Sequence, residues 1–336
     1  MIAMIVRRLL QLPIILLVIY TTTLTLAWAI PGNPLDKPDG RRPAPEVIEA
    51  MKVQYNLHNY STFYFSYLDS VTGFEWARDA ISGERARVVE AAREAGQAPP
   101  ERYVFDMGPS LQYRDRRVNE IVTGSLPVSI TLGAAAILIA LVTGVAAGVV
   151  GAVRPNSMAD VSTLLVALVG ISLPSFVTGT VLLVIFSVWL QVFAIAQWGS
   201  LQDMILPAVM LSLPFAAYIA RLTRMGMIDA LGADYIRTAR AKGASNMSLH
   251  LRHALKNAFL PVLSYLGPAA AYAMTGSFVV ERVFNVPGIG QHFVSAVQNK
   301  DLFLIMGVVL VFATMLIFFN LAVDLMYRWI DPRIEQ

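Results

Sequence analysis

Apolar residues run along this chain in blocks longer than a soluble helix or strand requires, and the polar positions gather between the blocks. Crossing a hydrocarbon core takes about 20 mostly apolar residues wound as a helix, because every backbone polar group there must be bonded within the segment. Six stretches meet or approach that length. The first runs from Leu9 to Ile30 and stops at Pro31-Gly32-Asn33-Pro34. The second runs from about Pro127 to Val153 and sets Gly133, Gly144, Gly148 and Gly151 among Ala and Val, which lets helices approach closely. The third, Val161 to about Val192, contains Gly170 and Pro174, so a kink or tilt is expected. The fourth is the weakest: only Ile205 to Ala220 is uncharged, and it holds Pro207 and Pro214. The fifth covers about Ala258 to Val280 and the sixth about Leu302 to Tyr327. The pattern predicts an all-α integral membrane protein with six transmembrane helices.

Charge divides the chain further. Residues 31–125 hold 12 Lys+Arg and 14 Asp+Glu, so 26 of the 49 charges fall in this one segment, which is therefore exposed to water. In short loops Lys and Arg accumulate on the cytoplasmic side. Arg7 and Arg8 precede the first span, and Arg154 follows the second. Arg221, Arg224, Arg237, Arg240, Lys242, Arg252 and Lys256 lie between the fourth and fifth, and Arg328 and Arg333 follow the sixth. On the other side, the loop after the third span has no Lys or Arg, and the loop after the fifth has only Arg282 and Lys300. Both termini are expected in the cytoplasm, with residues 31–125 outside. Arg7-Arg8, the apolar run and Ala27-Trp28-Ala29 also fit a cleaved secretory signal, but a run of about 22 apolar residues exceeds the roughly 7–15 of a signal core. The expected organisation is a cytoplasmic end and first span over 1–30, an external loop over 31–125, a membrane domain over 126–327 containing a cytoplasmic loop at 221–256, and a cytoplasmic tail over 328–336.

Composition agrees and narrows the chemistry. The chain has 336 residues, 56% hydrophobic and 15% charged, with a mean hydropathy of +0.58, which excludes an ordinary soluble domain. A net charge of +3 is too small for a polyanion-binding surface. With no cysteine there is no disulfide, thiolate zinc site, iron–sulfur ligation or Cys nucleophile. No Gly-Lys pair occurs, so the chain lacks a P-loop and cannot hydrolyse ATP by that route. The histidines are His58, His250, His253 and His292; His250 and His253 could share a helix face, but they lie among basic residues and are expected to be solvated. No catalytic residue, metal site or cofactor is expected.

The informative segment is Asp229 to Ser245. Asp234 is placed to cap a short helix. Arg240 and Lys242 complement its C-terminal dipole, and Gly243 supplies a left-handed residue at its end. Tyr235, Ile236 and Ala239 give it a small apolar face, and Thr238, Ala239 and Ala241 keep it slim. Such a helix suits a groove on a partner; taken alone, the residues equally suit a positive-inside loop that only fixes topology.

Asp234-Tyr-Ile-Arg-Thr-Ala-Arg-Ala-Lys-Gly243, followed by Arg252-His-Ala-Leu-Lys-Asn-Ala-Phe-Leu-Pro261, resembles the cytoplasmic EAA loop of the permease subunits of peptide-type ABC importers. The general pattern has Glu-Ala-Ala six residues before the glycine; Arg237-Thr238-Ala239 stands there, and the interval from Gly243 to Pro261 is longer, as in the peptide/nickel branch. Phe105-Asp-Met-Gly-Pro-Ser110, Leu126-Pro-Val-Ser-Ile-Thr-Leu-Gly133, Val280-Glu-Arg-Val-Phe-Asn-Val-Pro-Gly-Ile-Gly290, Asn320-Leu-Ala-Val-Asp324 and Asp331-Pro-Arg333 extend the likeness in order along the chain.

The resemblance, closest to the B-type dipeptide/oligopeptide permeases, implies a type I importer (MetI-like) permease domain in a prokaryotic inner membrane. It implies a homologous second permease, two cytoplasmic subunits that bind ATP, and an extracytoplasmic substrate-binding protein. It also implies that Asp234, Tyr235, Arg237, Thr238, Ala239, Arg240, Lys242 and Gly243 form a coupling helix on the ATPase. Import of nickel or another small solute is the alternative within the class. Outside it stand a scaffold that tethers a cytoplasmic enzyme and a secondary transporter, the latter disfavoured because spans one to five lack carboxylates. Residues 75–104 look inserted relative to the family, with Glu84 to Glu94 suited to an exposed amphipathic helix ended by Gly96-Gln-Ala-Pro-Pro100. Glu281-Arg282 is expected to be a pair at the membrane edge rather than a ligand site.

Overall fold

The computed structural model describes residues 2–32, 34, 35, 44–94, 96, 103–113 and 115–330. The chain tail from 331 and the Gln97–Pro100 stop lie outside the described residues. Among the described residues the architecture is all-helical, and the one extended pairing is an isolated bridge between Pro109 and Arg117. In chain order the helices are α1 Ile2–Ala29, α2 Pro45–Gln54, α3 Tyr60–Thr72, α4 Phe74–Ser82, α5 Glu84–Glu94, α6 Val118–Val153, α7 Met158–Ser172 and α8 Ser175–Leu183. They continue with α9 Leu201–Gly232, α10 Asp234–Ala241, α11 Asn246–Ser248, α12 Leu255–Ala258, α13 Leu260–Met274, α14 Phe278–Phe284, α15 Ile289–Gln298 and α16 Leu302–Ile330.

Among the described residues, four helices are long and apolar enough to cross a membrane: Leu10–Ala29, Val118–Val153, Leu201–Gly232 and Leu302–Met326. Counting α7 and α8 as one broken span makes five by length and composition, and the remaining expected span, the fifth, does not meet that length in one unbroken helix. Three expectations change for physical reasons. The third stretch does not merely kink: α7 and α8 meet at 106°, because Pro174 forces Leu173 into an extended conformation (φ −78°, ψ 131°). The fourth, weakest in sequence, is a continuous 32-residue helix whose apolar window is 56% buried, more than any other span. Its start is fixed by a capping box in which Asp203 N–H donates to Ser200 Oγ (3.3 Å) and Ser200 N–H donates to Asp203 Oδ2 (2.9 Å). The fifth shrinks to the 15 residues of α13, ending where Gly276 turns the backbone at φ +92°.

The residues form two compact units, one of 1–12, 125–291 and 312–336, the other of 13–124 and 292–311. In the first, the glycines of α6 let it press on α9: a Cβ on Gly148 would lie 2.5 Å from Thr223 Cβ and 2.6 Å from the Ala220 carbonyl. Leu132, Ala136, Ala140, Phe215, Ile219 and Val262 pack into the core around that contact. Glu281 of α14 is fully buried in this unit. Ser129 Oγ donates to its Oε1 (2.9 Å) and Gln291 N–H to its Oε2 (3.0 Å). Cβ atoms on Gly276, Gly288 or Gly290 would come within 2.6, 2.4 and 3.0 Å of that carboxyl group. Arg282 is exposed, so the expected Glu281–Arg282 edge pair is replaced by a carboxylate caged in backbone and hydroxyl donors.

The second unit is built on aromatic side chains. Tyr20 of α1 donates to the Tyr64 carbonyl of α3 (2.6 Å) and stacks on Tyr67, while Phe63 and Tyr67 meet Phe303 at 5.3 and 5.6 Å. Asp301, with no solvent exposure, caps α16 by accepting from Leu304 N–H (3.2 Å). Its other oxygen accepts from Ser110 Oγ, Leu111 N–H (3.0 Å) and Gln112 N–H (3.3 Å). Burial raises the Asp301 pKa. The 75–104 stretch contributes α4 and α5, neither with a buried residue.

Candidate coupling surface

The segment that the sequence singles out is not one long loop. Residues 221–232 belong to α9, and the irregular backbone is confined to Ala233 and to 242–245. Ala233 is extended (φ −77°, ψ 154°) and caps α10 without a side-chain bond. Asp234 is thus the first helical residue rather than the cap. Its carboxylate, acting on the helix dipole from the first turn, pairs with Arg237 Nη1 at 3.3 Å; both side chains are exposed, so the pair adds little.

At the far end Gly243 takes φ +83°. Its N–H donates to the Arg240 carbonyl (3.0 Å), and Ala244 N–H donates to that of Ala239 (3.2 Å). This is a Schellman closure, with Lys242 at the C-cap and Gly243 in the left-handed position that it needs. No atom lies within 4 Å of a Cβ built on Gly243, so the demand for glycine is conformational and not steric.

Which way the helix faces departs from the sequence reading. Ile236 is 1% exposed, in a cluster with Ala152, Met227, Ala230, Leu249, Ala254 and Ala258, and Ala239 packs half-buried beside it. Tyr235 is 41% exposed. Successive helix residues diverge by about 100°, so Tyr235 points away from Ile236, and Ala239, within about 60° of both, lies between them at the edge of the buried side. The expected apolar face is therefore split: Ile236 and Ala239 hold the helix onto its own chain. Asp234, Tyr235, Arg237, Thr238, Arg240, Ala241, Lys242 and Gly243 are exposed.

Two further features went unread in the sequence. Arg224 of α9 forms a bidentate pair with Asp160, Nε to Oδ1 at 2.6 Å and Nη2 to Oδ2 at 2.7 Å, and Asn156 N–H adds a 2.8 Å bond. Asp160 is 1% exposed at the start of α7. Placing that helix from Val161 overlooked it, although Ser157-Met-Ala-Asp160 before an apolar run is a helix-start pattern. Second, Leu249–Ala254 is a π-helical turn, in which Leu255 N–H donates to the His250 carbonyl five residues back. His250 and His253 lie in this turn, and no group of three or more metal-ligating side chains occurs among the described residues. The site presents a short helix closed at its C-terminal end, anchored on one side and polar and cationic on the other.

Residues 140–336 match the family described as binding-protein-dependent transport system inner membrane component. The chain is 38% identical to the oligopeptide transport system permease protein OppB of Salmonella typhimurium over 338 residues, covering 100% of both chains. It is 36% identical to the dipeptide transport system permease protein DppB of Bacillus subtilis, over 98% of this chain and 97% of that one. A crystal structure of an amino acid ABC transporter aligns over 63% of this chain and 94% of that chain at 15% identity; at a TM-score of 0.49 it carries no inference. The chain, all-helical among the described residues with several membrane-length apolar helices, is a membrane permease component, as its full-length relatives are. It belongs to the family of inner membrane components of binding-protein-dependent transport systems, as the resemblance at residues 234–261 implies.

Proposed function

We propose that this chain forms half of the translocation pore of an ATP-driven importer of dipeptides or oligopeptides. It works with a homologous second permease, two cytoplasmic ATPases and an extracytoplasmic binding protein, in a prokaryotic inner membrane with both termini in the cytoplasm. The permeases of peptide systems to which it is similar along their full length support the substrate class. The chain has no P-loop, so ATP is bound and hydrolysed by partner subunits.

The observation that carries the coupling reading is the division of α10 into an inner side and an outer side. Ile236 is buried among residues of α9, α12 and the turn between α11 and α12, so a displacement imposed on α10 is passed to them rather than absorbed in a loose loop. The exposed positions on the other side, Thr238, Ala241 and Lys242 with Tyr235 and Arg237 at its edges, are the ones that meet the ATPase.

Thr238→Trp adds bulk only on the outer side, and Gly243→Val places a β-branched residue in a left-handed conformation, costing about 1–2 kcal/mol. Both variants should insert as the parent does, lose co-purification with the ATPase subunits, and lower ATP-dependent peptide uptake in vesicles by about tenfold or more. Parental uptake by both would reduce the segment to a topology anchor.

A further inference from the structure

Between the coupling helix and α13 the chain makes a turn of a rare kind. Over Leu249–Ala254 the backbone bonds run five residues back instead of four. A π-turn accommodates one residue more than the α-helix around it, at poorer bonding geometry, and such turns are found mostly where function requires them. Here the extra residue fills no core. The two ends, Leu249 and Ala254, have no solvent exposure and pack in the cluster that holds Ile236. The middle faces outward, with Leu251 46% exposed and Arg252 exposed beside it. The bulge thus sits on the surface while both its anchors touch the coupling helix's own packing.

Beyond the turn the chain is fixed in place. Ala258, at the end of α12, lies against α9, its carbonyl oxygen 2.9 Å from where a Cβ on Gly226 would stand. Phe259 then interrupts the helix before α13 begins with Pro261 in its first turn. A rigid contact thus lies on each side of one compliant turn.

We propose that the π-turn at Leu249–Ala254 is the joint through which movement of α10 is converted into rotation of α12. When Leu255 N–H passes from the His250 carbonyl to that of Leu251, the turn returns to α register and the surplus residue moves along the helix. The residues that it passes rotate by about 100° each. No bond other than hydrogen bonds changes; Leu249 keeps its buried contacts, while Ala254 and the residues of α12 that precede the pinned Ala258 turn. This inference rests on the coupling role proposed for α10.

Deleting Leu251 tests it, because removing one surface residue restores an unbroken α-helix without altering the register on either side. In the full complex of both permeases, ATPases and binding protein, the deletion variant should insert, retain the ATPases and hydrolyse ATP, yet lose about tenfold or more of its uptake. Leu251→Ala, which keeps the chain length, should transport as the parent does. Uptake at the parental level in the deletion variant would overturn the proposal. Loss of the ATPases from that variant would assign the turn to docking and would overturn it equally. Hydrogen exchange on the parental complex gives a reading free of any mutation: the Ala254 and Leu255 amides should exchange about tenfold differently with and without ATP. Equal rates in both states would refute the joint. Failure of the coupling role itself is read separately, as parental uptake by both Thr238→Trp and Gly243→Val.

Discussion

Glu281 shows how far a single residue depends on others distant in sequence. Three glycines leave the space it fills, and Ser129, 152 positions earlier, donates to it. Burial raises its pKa, outweighing those donors. The native state therefore holds a proton on Glu281 at pH values where the unfolded chain, near the ordinary 4.5, has released it. The stability that this contributes is complete below 4.5 and is lost as pH rises through the native value. Asp301 adds to the same trend, because burial raises its pKa as well. We expect the melting temperature of the detergent-solubilised protein to fall as pH is raised above the ordinary carboxylate range. Glu281→Gln, which is neutral and keeps an acceptor for Gln291 N–H, should reduce that slope; a slope unchanged in the variant would place the titration elsewhere. In sequence, Val280 to Gly290 displayed a turn and a neighbouring acid and base. That the glycines make room for the acid became visible only when Gly276, Gly288 and Gly290 converged on it.

At the scale of elements, helices were legible where apolar length alone decides and misjudged where packing decides. The apolar stretches of α1, α6 and α16 were evident from composition. The span α9 was underrated because Pro207, Pro214 and charges near its ends argue against a helix when neighbours are ignored; packing from several sides overrides that local preference. The α7–α8 break was half legible, since Pro174 announces a disturbance but not its 106° size. Helix α10 was found with the correct C-terminal closure, but its inward side was not, because Tyr235 and Ile236 both suit an apolar face in sequence and only burial separates them. The same criterion bounds the 75–104 stretch. No residue of α4 or α5 is buried, whereas the segment after them is tied in, with Ser70 Oγ donating to the Asp106 carbonyl (3.1 Å) and Asn119 Nδ2 to that of Phe105 (2.8 Å). Replacing residues 75–94 by a short Gly/Ser linker should leave membrane insertion and ATPase co-purification unchanged. Extending the deletion through Asp106 should abolish recovery of the folded protein, as followed by size-exclusion chromatography.

For the whole molecule, the distribution of Lys and Arg predicts a sidedness that chemistry can read directly. The chain has no cysteine, so one introduced at exposed Ser82 or at exposed Ser245 is a unique label site. In intact cells a membrane-impermeant maleimide should label Ser82→Cys and spare Ser245→Cys until the membrane is opened; the reverse result would invert the topology. Asp301 adds a constraint in time. Its partner Ser110 was synthesised 191 residues earlier, and Phe303 completes the aromatic packing around Phe63 and Tyr67. At about 5–20 residues per second, roughly 10–40 s separate the emergence of the two halves. Throughout that interval Phe63 and Tyr67 lack Phe303, and the 110–112 turn lacks its acceptor. The second unit thus reaches its final fold only once residues 301–303 have been translated, and until then its unfinished surface stays open to proteases and to wrong partners.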